Sequence, residues 1–556
     1  MTAKKSKFLV PALGLGPIVL GSIAAYMYFK GPSGDASGVL ESAKIVPDEA
    51  LMATYITTET QAWAKLDKFG TPEARQLLGK SLEDFNQRME KDGGISYEKD
   101  LKPWVGGVML AILPPASTQE AQSSAPSRLS SQAAQPNVLM VVGIKDKLAA
   151  LNFANKLKSQ KETPTQEIDY KGEKIIKTRK GRRSTYTAVL NNTYVVFSPK
   201  KQPVEYAIDT FQGEPSFATK AGVKQILAKG VKQENTVAQI YVPDYANTVQ
   251  QLIASNPRTA QIPPQTLAQL KQVKSMVAGV GIDDAGVRMK AIATLDPQLN
   301  KFQYQNTSGK IVSRFPGDTI ALISGEGINR WWSAMLEQSE DYPEFNQVVN
   351  LVRTQLQQFN LDLDQDVFSW MNGEFGIAAI PDSKGLLAQV GFGGAFVFNT
   401  SDRQTAEQTL AKLDNIIKQQ PVNVAQTKVG GKDVTQWQVP GQGALLFHGW
   451  LDQETVFLAI GNSVTEAIAS PQDQSLDKSQ NFQTITGSLS QPNSGYFYLD
   501  MNPTLSLINR FAGRNQPLPP EANAILSSID GIGMAANSPD KSTSQVEFLL
   551  ALKNKQ

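Results

Sequence analysis

The sequence predicts an α+β protein with two tandem copies of a mostly antiparallel sheet domain, helices on one face, behind one N-terminal transmembrane helix. The first observation is an internal repeat: an Asp-x3-Trp-x2-Gly element followed by an apolar run occurs at Asp100–Gly107 and again at Asp366–Gly373. The second is that the predicted strands are joined by hairpins more often than by helices, which favours antiparallel pairing. The third is an uncharged apolar segment near the N-terminus.

Residues 8–29 have the length and composition of a membrane-spanning helix. They carry no charge, and at about 1.5 Å per residue they extend roughly 33 Å, enough for a hydrocarbon core of about 30 Å. Lys4, Lys5 and Lys7 precede the segment, which places the N-terminus in the cytoplasm. We therefore expect a single-pass protein that contacts the lipid bilayer through residues 8–29 and has its bulk in the periplasm or thylakoid lumen.

A cleaved signal peptide is the competing interpretation of this segment, with Ser22-Ile23-Ala24 as its small-residue site. The apolar run continues past Ala24, which favours an uncleaved anchor over residues 1–30. Residues 31–44 are rich in glycine and serine and are predicted to form a flexible tether.

The remainder of the chain divides into the two predicted copies. The first copy covers residues 45–297 and the second covers residues 316–556, with a linker at residues 298–315. Residues 116–136 are of low complexity and are predicted to form a disordered loop on the first copy.

Each copy has the same predicted order of elements. A strand, at residues 50–56 and 319–323, is followed by an amphipathic helix, the tryptophan element, a further strand and a strand–helix pair. A hairpin with a glycine turn, at Gly172 and at Gly430-Gly431, precedes two more strands, further helices and a closing pair of strands. The pattern predicts about nine strands in each copy.

The composition excludes several classes of function. The chain has no cysteine, which excludes disulfides, thiolate metal sites and cysteine nucleophiles. Its single histidine, His448, excludes any multi-histidine metal site, and its place on a predicted strand indicates a structural or surface role. We find no nucleotide-binding or serine-hydrolase fingerprint. The sequence therefore predicts no catalytic residue, no cofactor and no metal.

The two halves differ in charge. Residues 1–300 contain 37 Lys and Arg against 27 Asp and Glu, whereas residues 301–556 contain 17 against 25. This contrast suggests that the two copies have diverged surfaces and different partners. Drift on solvated faces explains it equally well.

The doubled tryptophan element behind an N-terminal anchor resembles an uncharacterised bacterial family that is common in cyanobacteria, domain of unknown function 3352. The resemblance covers nearly all of the chain beyond the anchor. It implies this architecture and an envelope or thylakoid setting, and it implies no catalytic residue.

Asp362, Asp364 and Asp366 have the alternate spacing that begins a calcium loop. The pattern then fails, because Val367 stands where the loop needs glycine. Capping of the short helical turn that carries the tryptophan is the favoured role for Asp366 and for its counterpart Asp100. Cation binding stays the alternative.

The tryptophans of the repeat, Trp104 and Trp370, are each followed by a glycine three positions later. A duplicated tryptophan is most simply a core anchor, with the glycine allowing close backbone approach. Stacking on a ligand is the alternative.

A run of basic residues is the strongest candidate binding site in the sequence. It lies on or just after the hairpin of the first copy, and the matching segment of the second copy is nearly uncharged. Its members are Lys174, Lys177, Arg179, Lys180, Arg182 and Arg183. A membrane protein complex, an anionic lipid or an envelope polymer fits such a surface, whereas nucleic acid is not expected in an exported compartment. A solvated sheet edge that discourages strand pairing is the competing interpretation.

The leading functional hypothesis is a non-enzymatic, membrane-anchored binding, scaffold or assembly protein of the envelope or thylakoid. Two alternatives stay open. One is a carrier of a hydrophobic ligand, a lipid or a pigment, enclosed between sheet and helices. The other is a carboxylate-dependent hydrolase, whose paired acids sequence alone cannot reveal.

Overall fold

The computed structural model describes residues 38–115, 137–159, 165–180, 183–231, 233–254, 267, 270–300, 303–339, 343–470, 474–512 and 518–555. These residues contain both helices and antiparallel strands, and several runs of strands are joined without a helix, which confirms the α+β class. The chain divides into two compact units, a first unit that runs to Leu299 and takes in the last two residues, and a second unit, Asn300–Asn554.

The first unit contains ten described strands, all paired antiparallel. They are β1 Met52–Ile56, β2 Val105–Leu113, β3 Asn137–Ile144, β4 Thr165–Tyr170, β5 Glu173–Lys180, β6 Arg183–Leu190, β7 Tyr194–Ser198, β8 Thr236–Val242, β9 Val273–Ile282 and β10 Gly286–Leu295. Their spatial order is β4-β5-β6-β7-β3-β2-β1-β8-β9-β10.

The second unit repeats this strand order. Its described strands are β11 Ala321–Glu326, β12 Glu374–Pro381, β13 Phe392–Asn399, β14 Asn423–Val429, β15 Lys432–Val439, β16 Gly443–Trp450, β17 Thr455–Ile460, β18 Tyr496–Asp500, β19 Ile529–Asp540 and β20 Thr543–Leu552. They follow the order β14-β15-β16-β17-β13-β12-β11-β18-β19-β20. Each unit therefore has ten strands among its described residues, where the sequence pattern predicts about nine.

Helices occupy equivalent positions in the two units. Those of the first unit are α1 Val39–Ala43, α2 Thr60–Ala64, α3 Pro72–Gly93, α4 Lys147–Ser159, α5 Lys201–Phe211, α6 Val223–Lys229 and α7 Tyr245–Ala254. Those of the second unit are α8 Ile328–Ser339, α9 Pro343–Gln357, α10 Arg403–Lys418, α11 Asn462–Ala469, α12 Gln480–Thr486, α13 Met501–Ala512 and α14 Pro520–Ser527. Single π-helical turns, Tyr97–Leu101 and Leu363–Phe368, precede β2 and β12. Short 3-10 segments complete the set: Lys65–Lys68, Lys310–Arg314, Gly385–Leu387 and Leu476–Lys478.

The prediction that helices cover one face of each sheet is wrong. In the first unit α5 and α6 pack on the face that carries Met109 and Val141, while Phe153 of α4 packs with Val108 and Val142 on the opposite face. The reason lies in the central strands, because β2 and β3 are continuous apolar runs without polar alternation. Such strands bury both faces and require cover on each.

The predicted tether and linker are also partly wrong. Within the predicted tether, α1 is a helix whose Ala43 is fully buried in the core of the first unit. Within the predicted linker, Ile311, Val312 and Phe315 are buried and belong to the second unit. The apolar side chains of these segments gain more from burial against the central strands β2, β3, β12 and β13 than the ordering of a few residues costs.

The predicted anchor over residues 1–30 and the predicted loop over residues 116–136 both lie outside the described residues. Among the residues that are described, no helix combines the length and apolar character needed to cross a bilayer.

Candidate functional site

The repeated tryptophan element has one geometry in both units. The indole nitrogen of Trp104 donates a hydrogen bond to the main-chain oxygen of Asp100 at 2.7 Å, and that of Trp370 donates to Asp366 at 2.9 Å. Both rings are buried, and Trp370 packs edge-on against Phe398 with ring centroids 5.8 Å apart. This geometry is that of the core anchor which the repeat predicts.

The aspartates of the element close the π-helical turn and also bind a lysine that sequence analysis missed. The carboxylates of Asp100 and Asp366 each accept the main-chain N–H four residues earlier at 2.7 Å. Asp100 also pairs with Lys156 of α4 at 2.5 Å, and Asp366 pairs with Lys412 of α10 at 2.9 Å. The only sequence signal for these pairs is a Lys-Leu dipeptide at the matching place in each helix.

These contacts also decide the ionisation of the two aspartates. Burial raises the pKa of Asp100 and of Asp366, but the main-chain hydrogen bonds and the lysine ammonium groups outweigh it. The pKa of each carboxyl therefore lies below its ordinary value, and each stays a carboxylate at neutral pH.

The calcium-like spacing does not create a shared site. Asp362 caps the π-helical turn through the N–H groups of Asp364 and Gln365, and Asp366 pairs with Lys412. Asp364 instead accepts from the indole of Trp332 and pairs with Arg353, both at 2.7 Å. The three carboxylates thus have separate protein partners, which favours the capping role.

The basic run lies on β5 and the start of β6, and the structure divides it between two faces. Strand β5 pairs with β4 on one side and β6 on the other, so it is not a sheet edge. The interpretation of the run as a charged edge strand is therefore wrong. Lys174 lies on one face and pairs with Glu167 of β4 at 2.8 Å, whereas its neighbour Ile175 is fully buried on the other.

Lys177 and Arg179 follow Ile175 at alternate positions of β5, so their side chains lie on the same face of the sheet as that of Ile175. They lie beyond the end of the buried core. The ammonium of Lys177 lies 5.8 Å from the ring centre of Tyr186, its cross-strand neighbour on β6. Lys180 and Arg183 are paired across the end of the hairpin. The side chains of Lys180 and Arg183, and the whole of Arg182, lie outside the described residues.

The matching hairpin of the second unit, β15–β16, is covered rather than charged. His448 of β16 is buried, and its Nε2 lies 2.9 Å from a carboxylate oxygen of Asp414 on α10. The same oxygen accepts the indole N–H of Trp437 on β15 at 2.7 Å. The structural role expected for His448 from its strand position fits this arrangement. Asp414 could not be paired with it from the sequence, because 34 residues separate them.

Removal of the Asp414 carboxylate is expected to destabilise the second unit. Burial raises the pKa of Asp414, but hydrogen bonds from His448 and Trp437 outweigh it and the pKa lies below its ordinary value. The carboxylate therefore stabilises the fold above the unfolded-state pKa of about 4 and loses that contribution as the pH falls through the folded-state pKa. Asp414→Asn should lower the free energy of unfolding by about 1–3 kcal/mol at pH 7 and by less in acid, as measured by urea unfolding.

Asp433→Asn is the matched control for that experiment, because Asp433 also pairs with a cation but is largely exposed. Exposed pairs contribute little, and this variant should unfold like wild type. Equal losses of unfolding free energy in both variants would contradict the assignment. So would a loss in Asp414→Asn that is as large in acid as at pH 7.

A polar cleft of about 540 Å³ opens in the second unit. Its lining residues are Lys310, Ser313, Arg314, Asn399, Asp452, Gln453, Glu454 and Thr455. Arg314 pairs with Asp452 at 2.5 Å. Burial raises the pKa of Asp452, but hydrogen bonds from Thr455 and Glu454 outweigh it, so the pKa lies below its ordinary value. A general acid needs the opposite shift, so this cleft gives the hydrolase hypothesis no support, and its polar lining gives none to a lipid carrier.

The fold is that of a two-unit α+β protein whose repeated tryptophan element is a structural anchor in each unit. The chain belongs to the protein family of unknown function DUF3352, whose family model matches residues 12–552. No protein of curated function matches it.

Among solved structures, the chain is similar to the protein TP0453 in several crystal forms. Form I has a TM-score of 0.25 and 8% identity, and form IV has a TM-score of 0.26 and 10% identity. Each alignment covers 46% of this chain, and 78% or 83% of the other. At these values the similarity carries no functional argument.

Proposed function

We propose that this protein is a non-enzymatic, membrane-anchored binding or assembly protein whose β5–β6 hairpin docks onto the acidic face of a membrane-associated protein complex. The observation that carries the proposal is the basic hairpin itself. Of two sheets with the same strand order, one carries six basic residues on this hairpin, whereas the other presents a covered, nearly uncharged hairpin.

The position of the hairpin supports docking. The buried side chain of Ile175 anchors β5 in the core. Lys177 and Arg179 lie further along the same strand, which is paired with β4 on one side and β6 on the other. A paired strand holds its side chains more rigidly than a loop does, so less conformational entropy is lost when a partner binds. Lys177 and Arg179 share one face of β5, and cations that share a face accelerate encounter with an acidic surface and select against basic ones.

The membrane setting belongs to the same proposal. The uncharged run at residues 8–29, preceded by three lysines, supports a single-pass anchor with the two units on the far side of the membrane. A tether to the bilayer raises the local concentration of a binding surface near membrane partners. The periplasm and the thylakoid lumen both satisfy this geometry.

Removing four of the six positive charges of the hairpin is expected to weaken partner capture strongly. In-cell crosslinking and pull-down of the tagged full chain should recover a stoichiometric protein partner. A variant with Arg179, Lys180, Arg182 and Arg183 changed to Gln should recover roughly tenfold less of it, because several close charge pairs are lost. The capture should also weaken as salt is raised, since exposed charges are screened.

The matched control changes four exposed lysines elsewhere in the first unit, Lys44, Lys68, Lys224 and Lys274, to Gln. It removes the same net charge and should leave capture unchanged. An equal loss of partner capture in both variants would show that net charge, and not the hairpin in particular, is responsible. The absence of any partner in wild type, or capture of lipid or envelope polymer in its place, would overturn the proposal of a protein partner.

A further inference from the structure

A second candidate surface lies in the second unit, on the helix that precedes the tryptophan element. Helix α9 buries Val349 against Trp332 and Leu363, so one side of it is anchored in the unit. Its neighbouring side is apolar but not covered: Val348 is 58% exposed and Leu351 is 60% exposed. Two further apolar side chains, Val352 and Phe359, are also exposed.

Three of these residues form one stripe along the helix. Val348, Leu351 and Val352 fall within about 100° of one another at 3.6 residues per turn, and Phe359 lies two residues beyond the end of the helix at Gln357. We call Val348, Leu351, Val352 and Phe359 the α9 stripe. The stripe adjoins the buried side of α9. One part of the apolar surface of the helix therefore anchors it in the unit, and the adjoining part is exposed.

The sequence around the α9 stripe is mostly uncharged, with Glu344 four residues before Val348 in α9 and an exposed Glu337 on α8. Between Asn346 and Asn360 the sequence has a single ionisable residue, Arg353, and its guanidinium pairs with Asp364 of the π-helical turn. The remaining exposed neighbours are glutamine, asparagine and threonine. The adjacent helix α8 adds Trp331, which is 51% exposed. The four side chains of the α9 stripe therefore offer no charge to an acidic or basic partner.

The equivalent helix of the first unit differs in this respect. Helix α3 also lies between the first strand and the tryptophan element, but it exposes charged residues along its length. Among them are Glu73, Lys80, Glu83 and Glu90. The apolar outward stripe is therefore not a requirement of the fold, because the same position is occupied by a charged helix in the sister unit.

We infer that the α9 stripe inserts into the interfacial region of a lipid bilayer without need of anionic lipid. A helix with an exposed apolar stripe and mostly uncharged polar flanks is suited to lie in the plane of the interface, where burial of the apolar side chains drives binding. The uncharged run at residues 8–29 of the same chain supports a bilayer as the occupant rather than a protein groove. The inference goes beyond the proposed docking hairpin, since it concerns another unit and another chemistry.

The absence of cysteine makes a direct test available. Leu351→Cys can be labelled at a single thiol with an environment-sensitive fluorophore in the full chain, which is then reconstituted into neutral phosphatidylcholine vesicles. The expected result is a blue-shifted emission, quenching by spin-labelled lipid, and a constant for quenching by aqueous iodide that is reduced roughly threefold or more. Raised salt should change none of these, because no charge is involved.

Glu83→Cys on α3 is the matched control, and its label should remain accessible to iodide and unquenched by lipid. A label at Gln355→Cys should respond like that at position 351, and should lose lipid quenching when Val348, Leu351 and Val352 are also changed to Ser. These exposed substitutions leave the core untouched, so circular dichroism should be unchanged.

The outcomes separate this inference from the proposed function. If the chain floats with the vesicles but the label at position 351 stays accessible to iodide, the inference about the α9 stripe is wrong, whereas the predicted membrane anchor is still supported. Protection that appears only when membrane proteins are added would assign the stripe to a protein partner and overturn the inference. A chain that fails to float at all would contradict both the anchor and the stripe.

Discussion

Replacing Trp370 by alanine is expected to lower the free energy of unfolding of the second unit by about 3–5 kcal/mol. The ring is 2% exposed and packs with Phe398, Ala406 and Leu410, so its loss removes buried apolar area and leaves a cavity. The change also removes the indole N–H that donates a hydrogen bond to the main-chain oxygen of Asp366 in the π-helical turn. Urea unfolding followed by circular dichroism measures the loss.

Trp331→Ala is the matched control, because it removes the same side chain from a site that is 51% exposed. Surface substitutions away from special features usually change stability by less than about 0.5 kcal/mol, so the control should unfold near wild type. If the two variants lost equal stability, or if Trp370→Ala unfolded like wild type, the tryptophan element would not be a core anchor and a ligand-stacking role would regain weight.

Gly373→Ala is expected to cost about 2–4 kcal/mol, although it adds only one methyl group. A Cβ at this position would lie 2.6 Å from the main-chain oxygen of Asn399 and 3.0 Å from its carbonyl carbon. The same oxygen accepts the N–H of Gly373 at 3.1 Å, so the two backbones cannot separate without losing that hydrogen bond. The glycine of the repeated element is thus required for close approach between the tryptophan turn and the end of β13.

The control for this substitution has the opposite expected sign. Gly79 lies inside α3, and a Cβ there would meet no atom within 4 Å. Gly79→Ala should therefore raise the free energy of unfolding of the first unit by about 0.5–1 kcal/mol, because alanine loses less backbone entropy in a helix. Thermal unfolding of both variants gives the comparison. A neutral Gly373→Ala would show that the backbone at Asn399 can move and would remove the packing explanation for the motif.

Several features of the fold could be predicted because they rest on local sequence pattern. Hairpins at Gly172 and Gly430-Gly431 and strand segments with apolar runs predict antiparallel pairing, which the structure confirms. The tryptophan element predicts an anchor with a glycine contact, and the indole hydrogen bond is the same in both units. The glycine contact differs, because Gly107 lies against the side chain of Tyr55 and Gly373 against the main chain of Asn399. Membership of the family suggested by the resemblance is likewise confirmed.

The errors share one physical cause, which is that burial depends on partners distant in the chain. The helices were expected on one face, yet β2 is apolar on both faces and is covered by helices from different parts of the first unit. The tether was expected to be flexible and residues 298–315 to join the two copies, yet Ala43 and Phe315 are buried within the units. Composition predicted flexibility in the tether because it cannot show that strands distant in the chain lie against it.

For the candidate sites, the sequence by itself determined which residue types are present: one histidine, no cysteine, a run of six basic residues and a repeated tryptophan. Only the tertiary structure decided their surroundings. It placed His448 against Asp414, separated Lys174 from Lys177 onto two faces of β5, and left the α9 stripe outward while Val349 points inward. The physical reason is that local pattern sets the period of a helix or strand, whereas the cover on each face comes from elements tens of residues away.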